Sequence, residues 1–256
     1  MSAAAEVAWA IARRTFAKTL RRPVVLTFSL LQPLIWMALF GFLFASYRLP
    51  ALQDSVGYLD FVAPGVCTMT VLFGASQSGI VWIRDLQTGF LPRLLNAPVS
   101  LHPLLSGKLL ADVVRLLLQA AVVLAVAVLL GARFSPSPWA LAVALLALLL
   151  FAAAFSSLSC AVALRVRSPE AMGAFVHLVN MPVLFTSTAL VPARQMPAWL
   201  EAFARFNPLT LAVNALRDAL LFGRPAPMVG LLPLALAALV LYGLAARELR
   251  RLASLY

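Results

Sequence analysis

The sequence predicts an all-α polytopic membrane protein with six transmembrane helices, and three observations lead there. Apolar residues fill 63% of the 256 positions and charged residues only 11%, whereas soluble domains run at roughly 45–50% and about 25%. Six apolar runs are long enough to cross a hydrocarbon layer about 30 Å thick at about 1.5 Å per helical residue. Lys and Arg are divided unequally among the connections between those runs, as membrane topology requires. A mean hydropathy of +0.96 excludes a disordered chain, which needs low hydrophobicity and high charge. The net charge of +11 would suggest nucleic acid for a soluble protein. Here the membrane-side bias of basic residues accounts for it, and no nucleic-acid partner is expected.

The chain opens on a basic leader, 1–23, in which Trp9, Phe16 and Leu20 share a helical face with Ala5 and Ala12 while Arg14 and Lys18 face away. That pattern predicts an amphipathic helix lying in the membrane interface. The spans follow at 24–47, 61–83, 109–131, 139–164, 171–191 and 227–246, with a tail at 247–256. The first run is too long for a signal-peptide core and lacks a small-residue cleavage site, so it is expected to stay attached. Thirteen Lys and Arg residues fall in the leader, the second and fourth connections and the tail, and six on the opposite side, with Arg115 just inside the third span. Both termini are therefore expected to be cytoplasmic.

Two connections are too apolar for solvated loops. In the second, 84–108, Phe90, Leu91, Leu94 and Leu95 form a short apolar face closed by Asn96, Ala97 and Pro98, and Ser100 is placed to cap the helix that enters the third span. Such a helix needs a partner surface. In the fifth, 192–225, one helix opens at Pro197 and contains Trp199 and Phe203. A second is capped by Asn207, with Pro208 in the favoured first position, and ends at Gly223. Two short helices split by Asn-Pro predict a re-entrant pair on the outer side.

The chain contains no GxxxxGK[ST] loop, so it cannot itself cradle ATP in that manner. Asp112 and Arg115, three residues apart, read as a local ion pair rather than a proton relay. Cys67 and Cys160 make no disulfide framework or metal site of known spacing. Ser156, Ser157, Ser159 and Cys160 in the fourth span, with His177 in the fifth, are the candidates for an intramembrane hydrolase, but no spacing declares a nucleophile and its base. Polar residues concentrate in the second span (Thr68, Thr70, Ser76, Gln77, Ser78), in a fifth-span stripe (Gly173, His177, Asn180, Ser187) and at Gln32-Pro33 of the first, whereas the sixth is nearly all Leu, Ala and Val. A lipid-facing helix resembles the sixth, and an interior-lining one resembles the second and fifth. Ser, Thr and Asn in these spans also suit plain helix-to-helix hydrogen bonding.

These residues carry a resemblance. The stretch GFLPRLLNAPVSLHPLLSGK at 89–108 and NPLTLAVNALRDALLFG at 207–223 resemble the cytoplasmic and C-terminal signatures of type-2 ATP-binding-cassette exporter permeases. QPLIWMALFG at 32–41, YLDFVAPG at 58–65 and LVPARQMPAWLEAFARFNP at 190–208 resemble the daunorubicin-resistance-type branch. The resemblance implies a permease in a prokaryotic plasma membrane that pairs with a second copy or a paralogue and with a separate ATPase subunit. ATP and Mg would sit in that partner, and this chain would bind no cofactor. It assigns Gly89, Phe90, Leu91, Arg93, Leu94, Leu95 and Pro98 to a coupling helix docked on the ATPase, and the leader to a connecting helix. Trp199, Phe203, Asn207, Pro208 and Arg217 fall to the outer re-entrant helices, and Gln32, Thr70, Ser76, Gln77, His177, Asn180 and Ser187 to the pathway. Pro92 departs from the family, which usually has an acidic residue there. The implied activity is ATP-driven export of an amphipathic drug or lipid by alternating access. A lipid-linked oligosaccharide is the alternative cargo, and a membrane hydrolase or an assembly scaffold is the alternative class.

Overall fold

In a computed structural model, which describes residues 3–20, 23–44, 56–96 and 100–255, the chain forms ten α-helices and no strand among those residues. They are α1 (Ala3–Leu20), α2 (Pro23–Leu43), α3 (Tyr58–Gln87), α4 (Phe90–Leu95), α5 (Leu101–Leu129), α6 (Pro138–Val166), α7 (Pro169–Phe185), α8 (Ala198–Phe206), α9 (Pro208–Phe222) and α10 (Leu232–Ala253). Three of these starts share one local grammar. Ser137, Ser168 and Asn207 each accept a backbone N–H of the first turn, and each is followed by a proline whose fixed φ suits the first helical position. At the other limit, Gly223 takes φ +58 to close α9, a backbone conformation that costs glycine nothing.

Helix α3 is the axis of the bundle and packs on α2, α5, α6, α7 and α9. Of the four helices long and apolar enough to cross a membrane among the described residues (α3, α5, α6 and the 228–253 segment), α3 is the least apolar and the most enclosed, with 78% of its apolar stretch buried against 17% for the last. Helix α10 lies against α6 and leaves Leu232, Leu236, Leu239 and Val240 exposed. Small residues set the closest crossings. A Cβ on Gly65 would strike the backbone of Ala189, one on Gly79 would come within 2.7 Å of the Ser159 carbonyl, and one on Gly107 would strike the backbone of Ala8.

The expected boundaries shift for physical reasons. The fifth span, expected to reach 191, stops as a helix at Phe185, beyond which Thr188 N donates to Thr210 Oγ1 of α9 rather than to a carbonyl one turn back. Thr186 Oγ1 donates to Pro182 O and Ser187 Oγ to Leu184 O, and an irregular segment follows. At 17 residues α7 is shorter than a full span, as is the described apolar part of α2, Leu30–Leu43. The second connection contracts, since α3 continues to Gln87 and α5 begins at Leu101. Ser100 occupies the N-cap of α5 without a side-chain hydrogen bond. The basic tail is not separate, because Arg247, Arg250 and Arg251 lie on α10 itself. In the leader helix, which packs along α5, Ala12 of the expected apolar face is buried together with Thr15, while Trp9 of that face is exposed. The end of the expected first span, 45–47, lies outside the described residues.

Candidate functional site

At one end of the bundle, Gly89 adopts φ +72 and turns the chain from α3 straight into the six-residue α4. A helix this short cannot hold itself, so its anchor comes from packing. Leu91 is fully buried in a cluster with Trp82, Leu104 and Leu105, and Phe90, Leu94 and Leu95 are partly covered while Arg93 is exposed. The chain itself therefore occupies part of the face that the sequence left open for a partner. Pro98 lies outside the described residues.

Two basic residues of α1, expected on the side away from Trp9 and Phe16, reach into this end. The Arg14 guanidinium lies 3.4 Å from the centre of the Phe90 ring. Lys18 Nζ donates to Asp85 Oδ1 at 2.8 Å, and Lys108 Nζ donates to Asp85 Oδ2 at 2.6 Å. Lys108 also sits 3.8 Å above the Trp82 ring. Side-chain exposures of 2% for Lys108, 3% for Asp85 and 36% for Lys18 make the first pair a buried one and the third member its open edge. The sequence reading missed this group because residues 18, 85 and 108 share no helical spacing. The available signal was an acid in the last turn of α3 and a lysine about two turns into α5.

The polar residues assigned to a pathway divide into two groups. Thr70 donates to Val66 O, Ser76 to Asn180 Oδ1 and Ser187 to Leu184 O, and all four residues are buried inside the chain. Ser159 Oγ donates to Ser76 O and accepts from Gly79 N, so α3, α6 and α7 meet at a polar knot. Gln32, Gln77 and His177 lie on the outer surface. The hydrolase candidates do not converge, since Ser156, Ser157 and Ser159 are buried while His177 is exposed. Asp112 and Arg115 stand 3.7 Å apart, and Arg115 also donates to Gly74 O.

At the opposite end, Asn207 accepts from Leu209 N and donates to Val183 O and Thr186 Oγ1, which fixes the α8–α9 junction against the end of α7. Pro208 takes the first position of α9. Arg217, 7% exposed, is a clasp: its guanidinium donates to Phe61 O, Thr188 O and Ala189 O and lies 3.8 Å from the centre of the Phe61 ring. Trp199, Phe203 and Phe206 of α8 are exposed as one apolar face. Beneath α8 a cavity of about 340 Å³ is lined by Phe40, Phe44, Tyr58, Phe185, Met196 and Leu200 among others. Asp60 ties the same end together, its carboxylate accepting from Gly57 N and Arg133 N.

A helical bundle with long apolar surfaces, polar side chains bonded mostly to one another inside it, a short helix presented at one end and a helix pair at the other is the architecture of a multi-pass membrane protein. The family model described as ABC-2 type transporter matches residues 6–221, and the chain belongs to that family. It is 34% identical over 210 residues to the transport permease ycf38 of Cyanophora paradoxa, covering 81% of this chain and 71% of that protein. It is 30% identical over 197 residues to the daunorubicin resistance ABC transporter permease protein DrrB1 of Streptomyces coeruleorubidus, covering 77% and 68%. Nodulation protein J of Azorhizobium caulinodans is 26% identical over 234 residues, 90% of each chain.

Proposed function

We propose that this chain is the permease subunit of an ATP-driven exporter, working as a pair of permeases with a separate ATPase in a prokaryotic plasma membrane. The observation that carries the reading is α4. In a member of the ABC-2 family, a short helix held by Leu91, with Arg93 exposed and Leu94 and Leu95 half-covered, is a docking element for an ATPase. Helices α2 and α7 would then act as the first and fifth of six spans, with α4 and both termini cytoplasmic and α8–α9 re-entrant on the outer side. Closure of the ATPase pair would push on α4 and bias the bundle between two packings, which is all that alternating access requires.

The cargo proposed is an amphipathic drug or lipid. It would move along the surface bearing Gln32, Gln77 and His177 where two permeases face each other. Thr70, Ser76, Asn180 and Ser187 would hold α3, α6 and α7 in register behind that surface. The drug-resistance designation of one relative supports this substrate class.

The test is to solubilise membranes mildly and identify what co-purifies with the tagged chain by mass spectrometry. A P-loop ATPase in a ratio of about 1:1 is expected for this machinery, and its loss from the Leu94→Asp/Leu95→Asp variant while the permease stays inserted. An ATPase retained by that variant refutes the docking assignment.

A further inference from the structure

We propose that a groove between α5, α6 and α10 is a resident site for an anionic phospholipid of the cytoplasmic leaflet, with one acyl chain lying in the groove and the headgroup among the arginines of α10. The proposal goes beyond the exporter reading and takes from it only which end of the bundle is cytoplasmic. The proposed pathway residues Gln32, Gln77 and His177 stand on α2, α3 and α7, so the groove is no part of that route. It exists because α5 and α10 both lie against α6, while Ala153, Ala235 and Ala238 bring only methyl groups to the space they share. Leu110, Leu149 and Leu239, all exposed, stand along it and leave it open to the surroundings. The cavity measures about 510 Å³. Ordered water needs several polar partners and cannot fill its apolar length, and an empty trough forfeits the dispersion contacts of its lining. A flexible hydrocarbon chain supplies them.

What makes the trough selective is the order of its chemistry. Its polar lining residues are Ser106, Ser157 and Tyr242, and each is the residue nearest the α4 end among those its own helix contributes. Helix α5 begins, and α6 and α10 finish, in the cluster that holds Leu91 of α4, so the three hydroxyls share one end of the groove. His102, one turn before Ser106, closes that end, its ring centre 6.4 Å from that of Tyr242. Charge follows. Arg247, Arg250 and Arg251 are exposed on the next turns of α10, whereas the acid among them, Glu248, is paired with Arg165 at 3.3 Å. Arg250 stands eleven residues, about three turns, beyond Leu239 and therefore on the same face. Its Nε donates to Ala246 O, which draws the guanidinium back toward Tyr242. An apolar trough, then hydroxyls, then cations is the sequence of parts in an anionic phospholipid: acyl chain, ester, phosphate. Basic residues at the cytoplasmic ends of spans attract such headgroups. A zwitterionic lipid finds the same trough but gains less from the arginines.

The test needs no ATPase. The purified permease is reconstituted in phosphatidylcholine vesicles with a trace of phosphatidylglycerol bearing a diazirine midway along one acyl chain, irradiated, and the labelled peptides are identified by mass spectrometry. Label is expected to concentrate within 106–113, 149–157 and 235–242. Unlabelled phosphatidylglycerol should displace it, and the same added amount of phosphatidylcholine should leave it in place. Arg250→Gln/Arg251→Gln should weaken that displacement by about fivefold for each arginine removed. Ala238→Leu, which fills the trough, should lower labelling there to the level of an exposed apolar surface such as that around Leu118. Label spread evenly over exposed apolar positions such as Leu118 and Leu178, or displaced equally by both lipids, overturns the site. If Ala238→Leu fails to fold, the two competitions on the parent protein still decide. With the ATPase added, turnover should leave the labelling unchanged; depletion on ATP hydrolysis would make the lipid a cargo and overturn a resident site. Failure of any ATPase to co-purify refutes the exporter reading and leaves this labelling pattern as it stands.

Discussion

Replacing Arg217 by Met tests the clasp at the α8–α9 end. The substitution keeps most of the volume but removes the guanidinium that reaches Phe61 O, Thr188 O and Ala189 O at 3.1–3.5 Å. Thr188 and Ala189 lie in the irregular segment after α7, where no helix ladder supplies other donors to their carbonyls. Hydrogen bonds to a charged group are worth about 1.5–3 kcal/mol each, and the stacking on Phe61 adds on the order of 1 kcal/mol. Relief from burying a charge offsets part of this, which leaves a net loss of about 3–5 kcal/mol. For a protein of this size about 2–4 °C of melting temperature corresponds to each kcal/mol, so Arg217→Met should melt ~6–20 °C below the parent. The assay is thermal unfolding of the purified permease in nanodiscs, followed by intrinsic fluorescence, with Arg217→Lys as the control. Lysine keeps the charge but not the planar fork, so it should fall between the two. An Arg217→Met protein that melts within about 2 °C of the parent would refute the assignment of the clasp.

Two further substitutions probe the helix crossings. Gly65→Ala should lower the melting temperature measurably, at a cost of about 1–3 kcal/mol, because its Cβ meets the Ala189 backbone rather than a side chain that could move; a wild-type melt would mean that this crossing is loose. Ser159→Ala should cost about 1–3 kcal/mol, since it removes the two buried hydrogen bonds that Ser159 Oγ makes with Gly79 N and Ser76 O while the volume scarcely changes. Hydrogen exchange at Gly79 should quicken in the same variant, and unaltered exchange would remove Ser159 from the polar knot.

Much of the element order could be read from the sequence because its signals are local. The Asn207-Pro208 start and the Gly223 stop of α9 need only neighbouring residues to form, and the last span, nearly all Leu, Ala and Val over 227–246, needs only its composition. The length of α7 was not legible. Phe185 is followed by Thr186, Ser187 and Thr188, which a membrane helix tolerates, and the backbone leaves the ladder toward a distant partner, Thr210 Oγ1, which accepts from Thr188 N. The candidate sites were harder still. Ser76 and Asn180 look like pathway polars until their side chains are seen to bond each other across 104 positions. Arg217 could be named as belonging to the α9 helix, but its partners come from α3 and the segment after α7, and no sequence pattern declares them. The Lys18, Asp85 and Lys108 group fails in the same way, because charge complementarity between distant helices has no period.

The central position of α3 bears on how the chain enters the bilayer. It is the least apolar of the four long helices and the most enclosed, and four of its neighbours, α5, α6, α7 and α9, are synthesised after it. A segment carrying Asp60, Thr68, Thr70, Ser76, Gln77 and Ser78 is a marginal guest for lipid when it arrives alone. Its residence in the membrane becomes secure only when the later helices displace lipid from its polar flank. Ribosomes stalled before α6 would therefore leave α3 poorly retained, and biogenesis of this protein is a cooperative event in which the middle of the bundle is committed last.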